Sequence, residues 1–209
     1  SAPPPSVVYF GPSTLNPPDN RVSRRLLLSY NRIPTPGPSQ FVPARVYDDF
    51  WSGVTTAIRT VSWQGGYCFG SPALGPLPPP VATSPSFEIA FHHDNNGSPS
   101  GYPLLSDYAV TLTPADAHEQ FVFDTGPTTG ECASAAPNAS YYDYTAVLPS
   151  PFPITAGIRY WFSVRADMRA GGSWGWRVGM QGNNHSKQNA PMSSVATTPW
   201  DLAFSLSDQ

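Results

Sequence analysis

Between residues 158 and 165 the chain alternates: Ile158, Tyr160, Phe162 and Val164 fall on one side, Arg159, Trp161, Ser163 and Arg165 on the other. A period of two belongs to a half-buried β-strand, whose successive side chains leave opposite faces of the sheet. The same pattern, or a short apolar run bounded by Gly and Pro, predicts strands over residues 7–10, 24–30, 45–50, 54–63, 87–92 and 108–113. It predicts more over 120–124, 141–148, 173–180 and 202–206. A 3.6-residue period is missing throughout. Only residues 114–118 suit a single helical turn, with Pro114 first and Thr113 as its cap.

Between these strands the chain is punctuated by proline. Residues 33–38 read Ile-Pro-Thr-Pro-Gly-Pro, and the stretch 71–85 holds Pro72, Pro76, Pro78, Pro79, Pro80 and Pro85. Each Pro fixes φ and removes a ladder donor, so neither stretch fits a central strand or a helix. About ten short strands with turn signals between them predict an all-β fold, a two-sheet antiparallel β-sandwich of jelly-roll-like type. Residues 44–209 are expected to form this single domain. Residues 1–43 form a Pro-rich N-terminal arm carrying the strand-like segments 7–10 and 26–30.

Composition narrows the function classes. Of 209 residues, 26 are Pro and 17 Gly, yet aromatics reach 13%, enough to build the burial that disordered chains lack. Charged residues are only 12%, against about 25% in an ordinary domain, and net charge is −3 with no basic run. The electrostatic footprint of a nucleic-acid binder is therefore absent, and so is an apolar stretch of membrane-spanning length. The start Ser1-Ala2-Pro3-Pro4-Pro5 suits a mature chain from which a leader has been cut. Cys68 and Cys132 lie far apart without metal-type spacing. In an oxidising compartment they would pair, a crosslink worth roughly 4 kcal/mol. Two buried free thiols are the other reading. Scarce Lys and abundant Ser, Thr, Asn and Pro fit a secreted, extracellular or cell-surface protein.

Several short motifs, in order, carry a family resemblance: Asp48-Asp49-Phe50, then 62–67 (Ser-Trp-Gln-Gly-Gly-Tyr), then 87–99 (Phe-Glu-Ile-Ala-Phe-His-His-Asp-Asn-Asn-Gly-Ser-Pro). Tyr160-Trp161-Phe162-Ser163-Val164, Trp174-Gly175-Trp176 and 201–206 (Asp-Leu-Ala-Phe-Ser-Leu) follow. Over residues 48–206 the chain resembles secreted bacterial β-sandwich surface modules of the PEP-CTERM-type exported proteins, which often carry a C-terminal sorting anchor. The resemblance implies an exported, non-enzymatic surface module. The chain departs from it in ending at Gln209 without an anchor and in its long arm.

The densest chemistry lies at 91–103, where His92, His93, Asp94, Asn95, Asn96 and Gly97 run together. Asn95-Asn96-Gly97 is a strong turn signal, since Asn and Gly accept positive φ. A Ca2+ loop using Asp94, Asn95 and Asn96 as hard oxygen ligands is the competing reading, and Ca2+ is the one candidate cofactor. His92 and His93 would point to opposite faces and could not share one metal. Acidic residues are sparse and no local catalytic signature is present, so an enzyme is not expected.

Trp174 and Trp176 share one face and are either both core or both presented as a sugar-stacking platform, and the core reading is favoured. Sequons at Asn138 and Asn184 are candidate glycosylation sites. The leading expectation is a structural surface protein that assembles with copies of itself. Val7, Val8, Tyr9 and Phe10 would add as a strand to a neighbour's open sheet edge. The alternative is a carbohydrate-binding or adhesive module.

Overall fold

A computed structural model describes residues 7–10, 26–28, 30–31, 45–69, 86–101, 105–124, 138–168, 173–179, 185–189, 196–198 and 202–209. In chain order its strands are β1 (Val7–Phe10), β2 (Leu26–Leu28), β3 (Tyr30–Asn31), β4 (Arg45–Phe50), β5 (Thr56–Phe69) and β6 (Ser86–His93). Then come β7 (Tyr108–Leu112), β8 (Gln120–Asp124), β9 (Asn138–Ile154) and β10 (Tyr160–Asp167). The last four are β11 (Ser173–Arg177), β12 (Ser186–Asn189), β13 (Ala196–Thr198) and β14 (Phe204–Ser207). The fold is all-β, two packed sheets with antiparallel pairing throughout except where β3 meets β10.

Sheet A is organised on β5, which pairs along its whole length with β9. The other side of β5 is shared: β14 pairs with Thr60 to Trp63, and β11 with Gly65 to Cys68. Beyond them lies the arm. β1 pairs with β14 and β2 with β11, so the two arm strands line one entire edge of the sheet. β8 forms the other edge, against β9. Sheet B runs β13-β12-β4-β10-β6-β7. There β3 pairs in parallel with Ala166 and Asp167, beyond the stretch of β10 that β4 covers.

The core follows from alternation. Val46 and Phe50 from β4, Phe87, Ile89 and Phe91 from β6, and Tyr160, Phe162 and Val164 from β10 face inward. They meet Val61, Trp63 and Tyr67 of β5, Tyr144 and Ala146 of β9, and Trp174 and Trp176 of β11. Ring pairs dominate the contact: Trp63 stacks on Tyr144 at 5.0 Å, Phe91 on Phe152 at 4.7 Å, and Phe162 meets Trp176 edge-on at 5.3 Å. Such pairs are worth about 0.5–1.5 kcal/mol beyond area burial. Gly65 belongs to this packing, because the indole of Trp174 lies where a side chain would stand.

The predicted strand at 141–148 runs on to Ile154 despite Pro149, Pro151 and Pro153. Pro149 and Pro151 fall where the β5–β9 register shifts, between the Thr60–Val147 and Ile58–Phe152 pairs, so no ladder donor is required of them, and pairing resumes with Phe152 and Ile154 opposite Ile58 and Thr56. The predicted turn at 114–118 closes through Ala117 N–H donating to Thr113 O at 3.0 Å, with His118 N–H donating to Ala115 O at 3.2 Å and Glu119 N–H to Pro114 O at 3.1 Å. Thr113 and Asp116 cap it reciprocally, and His118 at φ 43° ends it.

Candidate functional site

The stretch that carried the densest chemistry forms a hairpin. Asn95 and Ser98 exchange backbone hydrogen bonds (2.7 and 3.2 Å), and between them Asn96 and Gly97 take φ of 53° and 78°. Two central residues at positive φ make a type I′ turn, the connection whose twist suits antiparallel strands. Asp94 braces it. One carboxylate oxygen accepts from Trp161 Nε1 at 2.7 Å, the other from Gly97 N–H at 3.1 Å. Each Asp94 carboxylate oxygen thus accepts from a protein N–H group. Among the described residues no group of three His, Cys, Asp or Glu side chains stands together.

His92 and His93 diverge, as a strand requires. His93 lies at the exposed end of the sandwich, 3.0 Å from Asp107. Burial alone would raise the Asp107 pKa, but hydrogen bonds from the His93 backbone, His93 ring and Ser100 hydroxyl lower it. His92 is fully buried on the outward face of sheet B. Its Nδ1 lies 2.9 Å from the Ser100 carbonyl, which can only accept, so that nitrogen carries the proton and Nε2 is a bare lone pair. Burial holds its pKa below the ordinary histidine value.

Around His92 the outward face of sheet B carries a layer of polar groups shielded from solvent. Registers set its rows: Asp49, Trp161 and His92 in one; Tyr47, Ser163 and Ala90 in the next; then Arg165 and Glu88. Asp49 pairs with Arg159 at 3.3 Å, and Glu88 takes both Arg165 at 2.7 Å and Arg45. Burial lowers the pKa of both Arg45 and Arg165, and for Arg45 the neighbouring Arg165 charge adds to the effect. The Tyr47 ring meets the His92 ring edge-on at 5.3 Å. Ser163 Oγ and His92 Nε2 are both buried without a hydrogen-bond partner, so they do not bond each other as a nucleophile and its base would. The sequence showed half of this layer, as the Arg159, Trp161, Ser163, Arg165 side of one strand. The roles of Glu88 and Arg45 needed the register.

Of the two readings of the Trp pair, the structure supports the core one. Trp174 and Trp176 are both 0% exposed, their indole N–H groups donating to Tyr144 OH and the Ala203 carbonyl. Rings sealed inside the core cannot stack on a sugar. Neither Cys132 nor Asn184 is among the described residues, so the disulfide and the Asn184 sequon lie outside what the structure describes. Cys68, opposite Ala139, and Asn138, opposite Phe69, are placed by backbone alone at the end of the β5–β9 ladder.

The assembly segment is placed. β1 pairs with β14 of its own chain, Val7 opposite Ser207, Tyr9 opposite Leu206 and Phe10 opposite Ser205, with a register shift after Val7. In the single chain β1 thus pairs with the chain's own C-terminal strand. A family model described as a domain of unknown function, DUF7901, matches residues 32–207. The chain belongs to that family. The DUF7901 match begins just past Asn31, the last residue of β3, so all three arm strands precede it. No curated protein and no solved structure matches the chain.

Proposed function

We propose that this chain is an exported, extracellular structural module, non-catalytic, whose N-terminal arm strand is exchangeable between copies and links them into assemblies. One observation carries the reading: β1 lines the β14 half of a sheet edge by main-chain pairing, and the strand it docks on belongs to the DUF7901 domain while β1 itself does not. Without β1 the outer side of β14 is a row of unpaired donors and acceptors, a template for any extended strand. The same strand from a second copy would restore the same ladder, which makes exchange a low-cost route to association. Residues 11–25 connect β1 to β2, and a stretch of that length can span at most roughly 50 Å, enough to reach a neighbour. Scarce charge, a single Lys and the resemblance to exported surface modules support the extracellular setting.

Val8→Asp and Phe10→Asp test it by size-exclusion chromatography run beside a thermal melt. Exchange between copies predicts that the wild-type chain forms concentration-dependent oligomers and that both variants run as folded monomers. A wild-type monomer at every concentration, with variants that merely melt earlier, would leave the arm as an internal strap and refute exchange.

A further inference from the structure

Phe50 and Tyr160 are the last paired residues at one end of β4 and β10, and beyond them the chain forms two neighbouring loops. Residues 51–55 read Trp-Ser-Gly-Val-Thr, and residues 155–158 read Thr-Ala-Gly-Ile. The loops are bonded together: Gly157 N–H donates to the Ser52 carbonyl at 2.8 Å, and Ala156 N–H to Thr55 Oγ1 at 3.0 Å. Trp51, Val54 and Ile158 stand on this joined tip, 50%, 51% and 46% exposed. A side-chain carbon added at Gly53 or Gly157 would meet nothing within 4 Å, so the tip is open on its outer side.

We propose that this tip is a lipid-docking surface, inserting Trp51, Val54 and Ile158 into the interfacial layer of a bilayer. Charge is the first argument for that occupant. Neither loop contains Asp or Glu, and Arg159 at the border is half-exposed, so phosphate headgroups meet no carboxylate of the tip. The carboxylates at its base are engaged, Asp49 by Arg159 at 3.3 Å and Asp208 by Thr56 Oγ1 at 3.3 Å. Hydrogen bonding is the second. Ser52 Oγ accepts from Val54 N–H at 3.0 Å, Tyr160 OH from Thr155 N–H at 2.9 Å, and the Thr155 carbonyl from Ile158 N–H at 3.3 Å. With Ala156 and Gly157 also bonded, these amides need no water, as entry into a lipid interface requires. The same closure spends the polar groups that a sugar would need to find convergent. Extent is the third. Three side chains on a loop tip fall far short of the roughly 800 Å2 that each partner gives to a stable protein interface. An indole beside two aliphatic side chains is, in contrast, what the interfacial layer takes up. The contact does not involve the arm and stands independently of its exchange between copies.

Flotation of the full chain with vesicles of phosphatidylcholine and phosphatidylglycerol tests it, with Val54→Asp and Ile158→Asp beside the wild type. The wild-type chain should float with the vesicles in high salt as well as low, because the insertion is apolar. Each substitution should cut partitioning by about tenfold or more, with Tm unchanged because the side chains already lie in solvent. Phe121→Asp removes an equally exposed ring from β8, 53% in solvent, and should leave flotation intact. A wild-type chain that does not float, binding abolished by high salt, or an equal loss in Phe121→Asp overturns the assignment. Vesicles with brominated acyl chains give a second readout. They should quench part of the wild-type tryptophan emission, and Trp51→Phe should remove most of that quenching. Quenching undiminished in Trp51→Phe would place another face on the lipid and also overturn it.

Discussion

Replacing Gly65 by Ala adds one methyl group at the centre of the sandwich. An added Cβ would stand 2.7 Å from Trp174 Cε2, closer still to Cζ2, and 2.8 Å from the Gly175 carbonyl oxygen. Neither neighbour can give way cheaply. The indole packs edge-on against Phe87 at 5.5 Å and Tyr144 at 6.1 Å, and its N–H donates to Tyr144 OH at 3.2 Å. The carbonyl belongs to the β5–β11 pair, where Gly175 faces Gly66. Forcing a methylene into a filled core costs about 1–3 kcal/mol. Reduced freedom of the unfolded chain returns about 0.4–1 kcal/mol. At mid-range values the net loss is about 1.3 kcal/mol, which for a chain of this size lowers Tm by about 3–5 °C. Gly53→Ala is the control, since a Cβ there meets nothing within 4 Å. Thermal melts read the difference, and near-ultraviolet circular dichroism reports whether the Trp174 ring has moved. Gly65→Ala melting with Gly53→Ala, or above wild type, would refute the close-packing argument.

Asp94→Ala removes the acceptor of the buried Trp161 N–H and of the Gly97 turn, and should cost about 1–3 kcal/mol by thermal melt. EDTA should leave the wild-type Tm unchanged, and a fall on chelation would point instead to bound metal. His92 gives a pH signature. Its folded pKa lies below the ordinary 6.5, so in acid the unfolded chain binds the proton first. Stability should fall as pH drops from about 6.5 toward the depressed folded value, and His92→Gln should flatten that slope in melts across the window. A slope unaltered by the substitution would assign the effect to other groups.

The layout of the sheets was legible where alternation is strong, as in β10, or where a turn is chemically forced, as at Asn96-Gly97. β12 and β13 were invisible, because Ser186–Asn189 and Ala196–Thr198 are short polar strands lying at the rim of sheet B, held by ladder bonds that leave no hydrophobic period. The prolines of β9 misled in the opposite direction, because Pro149 and Pro151 sit in a register shift where the ladder needs no donor from them. Of the candidate sites, the Trp pair was correctly weighed as core. The polar layer was only half visible: which Arg shares Glu88 depends on three strands brought side by side, and no local spacing encodes that. The apolar tip was hidden for a related reason, since Trp51 and Ile158 come together only once β4 and β10 pair.

Antiparallel pairing of β1 with β14 has a mechanical consequence. Val7 stands opposite Ser207 and Phe10 opposite Ser205, so residue 7 and residue 207 lie at the same end of the ladder. Tension applied across those two residues loads the rungs in sequence, as on a zipper, and each yields for about 1 kcal/mol net. Shear, which would stress all the rungs at once, does not arise in this arrangement. The long pairing of β5 with β9, strands of 14 and 17 residues, is not on that line of force. A pull therefore strips the arm strand first and leaves the two sheets standing, with a fresh edge exposed along β14.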